Sequence, residues 1–204
     1  MHLVLAVPGG GELWVGSSYA AGDVEYLRKN GITALVACAS NEPVARASHL
    51  KHLGTWDGTA ISKGDIKWLQ VLALLDTIGQ ALRNGARILL SCRNGAHRSA
   101  LLIVLVICFL TGLHPDEVMR HVSAIREMCD FDSVHPGDRK NFNKPMVTPA
   151  TFLRSRAEDL RACYDALQPH EQLKLNTVMT PAEFQTFAAT RGVSFPDWGL
   201  AILF

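Results

Sequence analysis

The residues of this chain best suited to chemistry are Cys92, Gly95, Arg98 and Ser99, within the run Ser91-Cys92-Arg93-Asn94-Gly95-Ala96-His97-Arg98-Ser99. Within it a cysteine opens a loop, a glycine sits midway, and an arginine closes the loop six positions after the cysteine. Successive backbone N–H groups in a tight loop converge on one point, and a following helix adds its positive N-terminal end, so such a loop is a natural phosphate site. Arg93, Asn94, Gly95, Ala96 and His97 would form the cradle, and Arg98 would clamp two phosphate oxygens with its planar fork. The same dipoles and the same cation would stabilise a thiolate at Cys92, and the thiolate is the nucleophilic form. Ser99 is placed to donate its hydroxyl to the sulfur. The chemistry that fits is phosphoryl transfer onto sulfur followed by hydrolysis. Background usage would put Gly, Arg and Ser at these offsets from a given cysteine roughly once in several thousand. The five cysteines raise this to the order of one in a thousand, so a buried core cysteine beside a solvated helix start explains the run poorly.

A loop of this kind needs a strand before it and a helix after it. Arg87-Ile88-Leu89-Leu90 is a short apolar run that predicts a strand over 87–91, and Ala100 to Leu110 is a longer one that predicts a helix buried on most sides. That run falls far short of the roughly 20 apolar residues that span a membrane. Upstream, 3–7 and 12–15 flank Pro8-Gly9-Gly10-Gly11 and read as two short strands joined by a turn. Residues 20–29 read as one short helix ending at Asn30-Gly31, a C-cap signal. The continuous apolar run Thr33-Ala34-Leu35-Val36-Ala37-Cys38 reads as a central strand covered on both faces, with Cys38 most simply a core residue. A second role for Cys38, as a resolving thiol for Cys92, stays open. Residues 39–60 read as a long irregular loop. Ser62 with Asp65 then forms a capping box for a helix that ends at Asn84-Gly85. Pro115 suits the first position of a helix running to about Met128.

The pattern Cys-x-x-Gly-x-x-Arg-Ser, here Cys92, Gly95, Arg98 and Ser99, resembles the signature of the cysteine-based protein phosphatases, in particular their dual-specificity branch. The opening of the chain is similar too: Glu12-Leu13-Trp14-Val15-Gly16-Ser17, Ala20-Ala21-Gly22-Asp23 and Leu27-Arg28-Lys29-Asn30-Gly31-Ile32-Thr33. The resemblance covers about 8–128. It implies an α/β domain: a short, mostly parallel central sheet flanked by helices, with the loop at the carboxyl end of its strand. It also implies a phosphocysteine intermediate, phosphotyrosine, phosphoserine or phosphothreonine in proteins as substrate, and no cofactor. Family members usually carry His before the nucleophile, which helps position the loop and lower the cysteine pKa; this chain has Ser91 there. Two other functions share the loop: a pseudophosphatase that holds phosphorylated partners without turnover, and a phosphatase acting on a phosphoinositide or an RNA 5′-phosphate. A lipid enzyme would more typically carry lysine inside the loop, and none lies between Cys92 and Arg98.

The leaving oxygen of a phosphoester must be protonated, and a carboxylic acid on a loop can do this. Asp57, in the 39–60 loop 35 residues before Cys92, resembles the family's acid, and Trp56-Asp57 is similar to its Trp-Pro-Asp without the proline. Asp57 as a plain turn residue is the alternative. Asp65 is explained by its cap, and Asp76 lies mid-helix. His97 could meet an anionic substrate or could simply be solvated at the rim, and Arg93 could meet a second negative group. The remaining histidines have no metal-ligand spacing.

With 204 residues, 48% hydrophobic and 19% charged, the chain suits one domain with a real core and an appendage. Its net charge of +1 offers no strong field for nucleic acid or an anionic membrane. The cysteines are odd in number and lack the spacing of a zinc site or a disulfide framework, and the N-terminus reads as a strand rather than a signal peptide. These features predict a reducing, cytoplasmic setting. The expected organisation is a catalytic domain over 1–130, a linker or long loop over 131–147, and a helical extension over 148–204.

Overall fold

A computed structural model describes residues 1–39, 44–56, 68–132, 153–154, 186 and 189, with backbone alone at 68–70. Five strands, β1 (His2–Ala6), β2 (Glu12–Ser17), β3 (Ala34–Ala37), β4 (Lys51–Thr55) and β5 (Arg87–Cys92), form one sheet in the order β1-β2-β5-β3-β4. β1 runs antiparallel to β2, and the pairs β2–β5, β5–β3 and β3–β4 are parallel. The α/β fold with a mostly parallel sheet is thus the one expected.

Side chains alternate across a strand, so a sheet covered on both faces shows two apolar sets. Leu13, Val15, Ala34, Val36, Ile88 and Leu90 face a core shared with α3 (Trp68–Arg83), α4 (Arg98–Thr111) and α5 (Pro115–Ile125). Leu35 and Leu89 face the other way, against Ala21 and Leu27 of α1 (Ser18–Gly22) and α2 (Val24–Lys29). Every residue of α4 beyond its first turn is buried, which explains its lack of a polar face. Gly112 ends it in the left-handed conformation at φ 75°, its N–H bonding the Cys108 carbonyl, and Pro115 then starts α5 at the first helical position.

Three elements depart from the sequence reading. The helix expected over 20–29 is two helices, because Asp23 ends α1 with its backbone while its carboxylate accepts from Tyr26 N–H and starts α2. The 39–60 segment contains β4, an edge strand whose residues are exposed or half-buried, so it carries no alternating apolar signal. The last helix of the core ends at Ile125 rather than near Met128. The capping box at Ser62 and Asp65 lies outside the described residues. Of the extension, 153, 154, 186 and 189 are helical; Leu153 is fully buried in the main core, and Arg154 Nε bonds Asp116 at 2.7 Å. Among the described residues, no helix is long and apolar enough to cross a membrane.

Candidate active site

Cys92 is the last residue of the central strand and is 3% exposed. Because β2, β3, β4 and β5 are parallel, their carboxyl ends share one edge, and the loop 93–97 stands there. Cys38 follows β3 at the same edge, its N–H bonding the Ser91 carbonyl at 2.7 Å. His97 occupies the position before α4 without capping it through its side chain, so the first turn of the helix opens toward the loop.

The loop turns its carbonyls outward. The Arg93 carbonyl accepts from both the backbone N–H and the hydroxyl of Ser18, each at 3.3 Å. Arg126 donates from Nη2 to the Asn94 carbonyl and from Nε to the Gly95 carbonyl, both at 2.8 Å, and the Cys129 thiol donates to the Gly95 carbonyl at 3.7 Å. Gly95 makes the reversal possible at φ 68°. A Cβ there would press on the Gly16 carbonyl and stand 2.8 Å from Ser17 N. Gly95→Ala is therefore expected to cost about 1–3 kcal/mol in strain, read as a lower Tm, together with loss of anion binding. An unchanged Tm and phosphate affinity would show that the loop has room to adapt.

The N–H groups turn the other way. Burial alone would push the Cys92 thiol up, but the Ser99 hydroxyl at 3.3 Å and the backbone N–H groups of Ser99, His97 and Gly95 outweigh it, so its pKa falls below the ordinary thiol value. The neighbouring thiols go the opposite way. Burial first, and then the negative charge of Cys92, push Cys38 well up, while burial raises Cys129 to about 11. One sulfur of the cluster is thus selected for ionisation by the loop. Arg98, half-buried at the first position of α4, bears on the same strand ends, since its charge acts on Cys38. Ala96 is buried in the loop, His97 is half-buried, and Arg93 and Asn94 are exposed at the rim.

No family model matches the chain, and no curated protein matches it. Solved structures do match. Human DUSP28 has a TM-score of 0.56 at 22% identity, over 74% of this chain and 94% of that one. The human tyrosine phosphatase-like serine/threonine/tyrosine-interacting protein has a TM-score of 0.56 at 16% identity, over 80% of this chain and 98% of that one. DUSP15 has a TM-score of 0.50 at 16% identity, over 81% and 97%. The chain has the dual-specificity phosphatase fold.

Within that fold, Cys92, Gly95, His97 and Ser99 lie together, with Arg98 at the start of the helix. Asp57 lies outside the described residues. Trp56, immediately before it, is buried in the core, and its backbone N–H bonds the Ala37 carbonyl at 2.8 Å. Asp76 accepts from Gln80 one turn along α3, through Oδ2 at 2.7 Å. His121 and His2 bond the backbone, to the Val4 and Ile125 carbonyls at 2.7 and 2.9 Å, and among the described residues no His, Cys, Asp or Glu cluster could hold a metal. Ser18, Arg126 and Cys129 support the loop from positions far away in sequence, and nothing in the local pattern around them marks that role.

Proposed function

We propose that the protein is a cysteine-dependent phosphatase that hydrolyses phosphomonoesters, with phosphotyrosine, phosphoserine or phosphothreonine of proteins as substrates. The observation that carries this reading is the ring of N–H donors and the Ser99 hydroxyl around the Cys92 sulfur, which favour a thiolate despite burial. The thiolate attacks phosphorus in line while Arg98 and the amides of 93–98 hold the three equatorial oxygens. The P–O bond to the leaving group breaks, and Asp57 gives that oxygen its proton. A phosphocysteine remains. Water, losing its proton to Asp57, then displaces the sulfur and releases inorganic phosphate and the thiolate. Charge on the phosphoryl group is met by Arg98 and the loop amides, so the scheme calls on no metal. A thiolate nucleophile works in a reducing compartment, and Cys38, Cys92, Cys108 and Cys129 are free thiols, which supports a cytoplasmic setting. The catalytic unit is residues 1–130, and Leu153 of the 148–204 extension is buried in its core.

Phosphate release from p-nitrophenyl phosphate, phosphopeptides, phosphoinositides and RNA 5′-triphosphate, with Cys92→Ser as the blank, tests the reading. Release from phosphopeptides above the blank is expected. Release confined to lipid or RNA moves the substrate class, and binding of phosphopeptides without release from any substrate makes the protein a pseudophosphatase.

Asp57→Asn should slow hydrolysis of phosphopeptides by roughly 10²–10⁴-fold, the scale of a lost general acid. The loss should shrink for p-nitrophenyl phosphate, whose leaving group needs less protonation. The basic limb of the kcat/KM profile should flatten, because that limb reports the loss of the acid's proton. Asp65→Asn is the matched control, expected to weaken a helix cap while sparing chemistry. A crippled Asp65→Asn beside an Asp57→Asn of normal pH profile would move the acid to Asp65.

A further inference from the structure

We propose that Arg126 is a positioning residue: its guanidinium holds the peptide planes of Asn94 and Gly95 so that their N–H partners point into the loop. The inference rests on the phosphatase reading of that loop. A trans peptide carries the C=O of one residue and the N–H of the next on opposite sides of one plane. Fixing the Asn94 carbonyl outward therefore fixes the Gly95 N–H inward, and fixing the Gly95 carbonyl outward does the same for Ala96 N–H. Arg126 makes both bonds at 2.8 Å, from Nη2 and Nε, and the Gly95 N–H is one of the donors that reach the Cys92 sulfur. The two donors sit in a rigid planar fork that spans adjacent carbonyls, which a lysine ammonium cannot reproduce. A cation on two carbonyl oxygens also polarises those peptides and strengthens their N–H dipoles.

Arg126 is itself well held. It is the C-cap of α5, its N–H bonds the Val122 carbonyl, and the preceding Ile125 carbonyl accepts from His2 Nδ1 at 2.9 Å. A cation is also favoured at this end of a helix. Its contacts are to the outer side of the loop rather than to a reacting atom, which makes it a support for the cradle. Among the described residues, the other charged and titratable groups around the sulfur are Arg98 from α4, Cys38 beyond β3 and Cys129 beyond α5, with Arg93 and His97 in the loop itself; none of them is changed in the variants below.

The test compares wild type, Arg126→Gln and Arg126→Lys, with Cys92→Ser as spectroscopic blank. The readouts are the Cys92 thiol pKa, from thiolate absorbance and from alkylation rate against pH, and the affinity for inorganic phosphate; circular dichroism checks the fold. Arg126→Gln is expected to raise the Cys92 pKa by about one unit and weaken phosphate binding by about tenfold or more. Arg126→Lys keeps the charge but loses the fork, and should shift both in the same direction by less. A folded Arg126→Gln with wild-type pKa and phosphate affinity overturns the proposal. So does Arg126→Lys that matches wild type, since the effect would then be charge alone. If Arg126→Gln does not fold, the lysine variant decides. These readouts need no turnover. A wild type that binds phosphate through a lowered Cys92 pKa yet hydrolyses nothing would sink the phosphatase reading while leaving this inference standing.

Discussion

Cys92→Ser removes turnover, by roughly 10⁴-fold or more, while the fold and the binding of inorganic phosphate remain. Serine is close to cysteine in size, and the site is a buried strand end with the Ser99 hydroxyl 3.3 Å from the sulfur, so the substitution leaves the surrounding contacts in place. The chemistry changes completely. The N–H groups of Gly95, His97 and Ser99 bring a thiol below its ordinary pKa, but a serine hydroxyl starts so much higher that the same donors cannot ionise it. Steady-state hydrolysis of p-nitrophenyl phosphate, with calorimetric titration of phosphate, reads both halves of the expectation. Hydrolysis by Cys92→Ser near the wild-type rate would mean that the nucleophile is water or another residue.

Arg98→Lys is expected to be nearly as damaging, on the order of 10³-fold in kcat. The charge is retained, so the loss measures geometry. A guanidinium makes two parallel bonds to neighbouring equatorial oxygens, and those oxygens gain charge and flatten as the transition state forms. A single ammonium can follow one of them. Arg98 is fixed by its place at the first position of α4, where the helix axis and the strand end converge on the loop. The fall should therefore appear in kcat as well as in KM. A change confined to KM would make Arg98 a ground-state binding residue with no special part in the reaction.

What was legible in the sequence was local. The strand Arg87–Cys92, the loop and α4 could be read because each has its own signal: an apolar run of strand length, a glycine where φ is positive, and a helix with no polar face. The helix end at Asn30-Gly31 and the helix start at Pro115 were legible for the same reason. β4 was not, because Lys51–Thr55 lies at a sheet edge and its pairing with β3 comes from backbone rather than apolar pattern. The break at Asp23 is hidden in the sequence because one aspartate serves as both the end of α1 and the N-cap of α2, with no glycine or proline following it. The outer support of the loop was invisible. Ser18 and Arg126 meet the loop carbonyls only after the sheet has brought together segments distant in sequence, and a serine or an arginine near a helix end has many ordinary uses. Ser91 is buried on β5 beside Ala37 and Gly16, and the neighbouring Cys92 is the thiol the loop favours for ionisation.

The central claim is that phosphorus passes through the Cys92 sulfur, and trapping that adduct tests it most directly. Wild type and Asp57→Asn are mixed with p-nitrophenyl phosphate, quenched in acid within milliseconds to seconds, and read by intact mass and peptide mapping alongside the p-nitrophenol released. The account predicts a burst approaching one equivalent of p-nitrophenol, matched by one phosphoryl group on the peptide that contains Cys92, with Asp57→Asn accumulating the most adduct because water then lacks its base. Steady phosphate release with no burst and no adduct, or a phosphoryl group found on a peptide without Cys92, would contradict it.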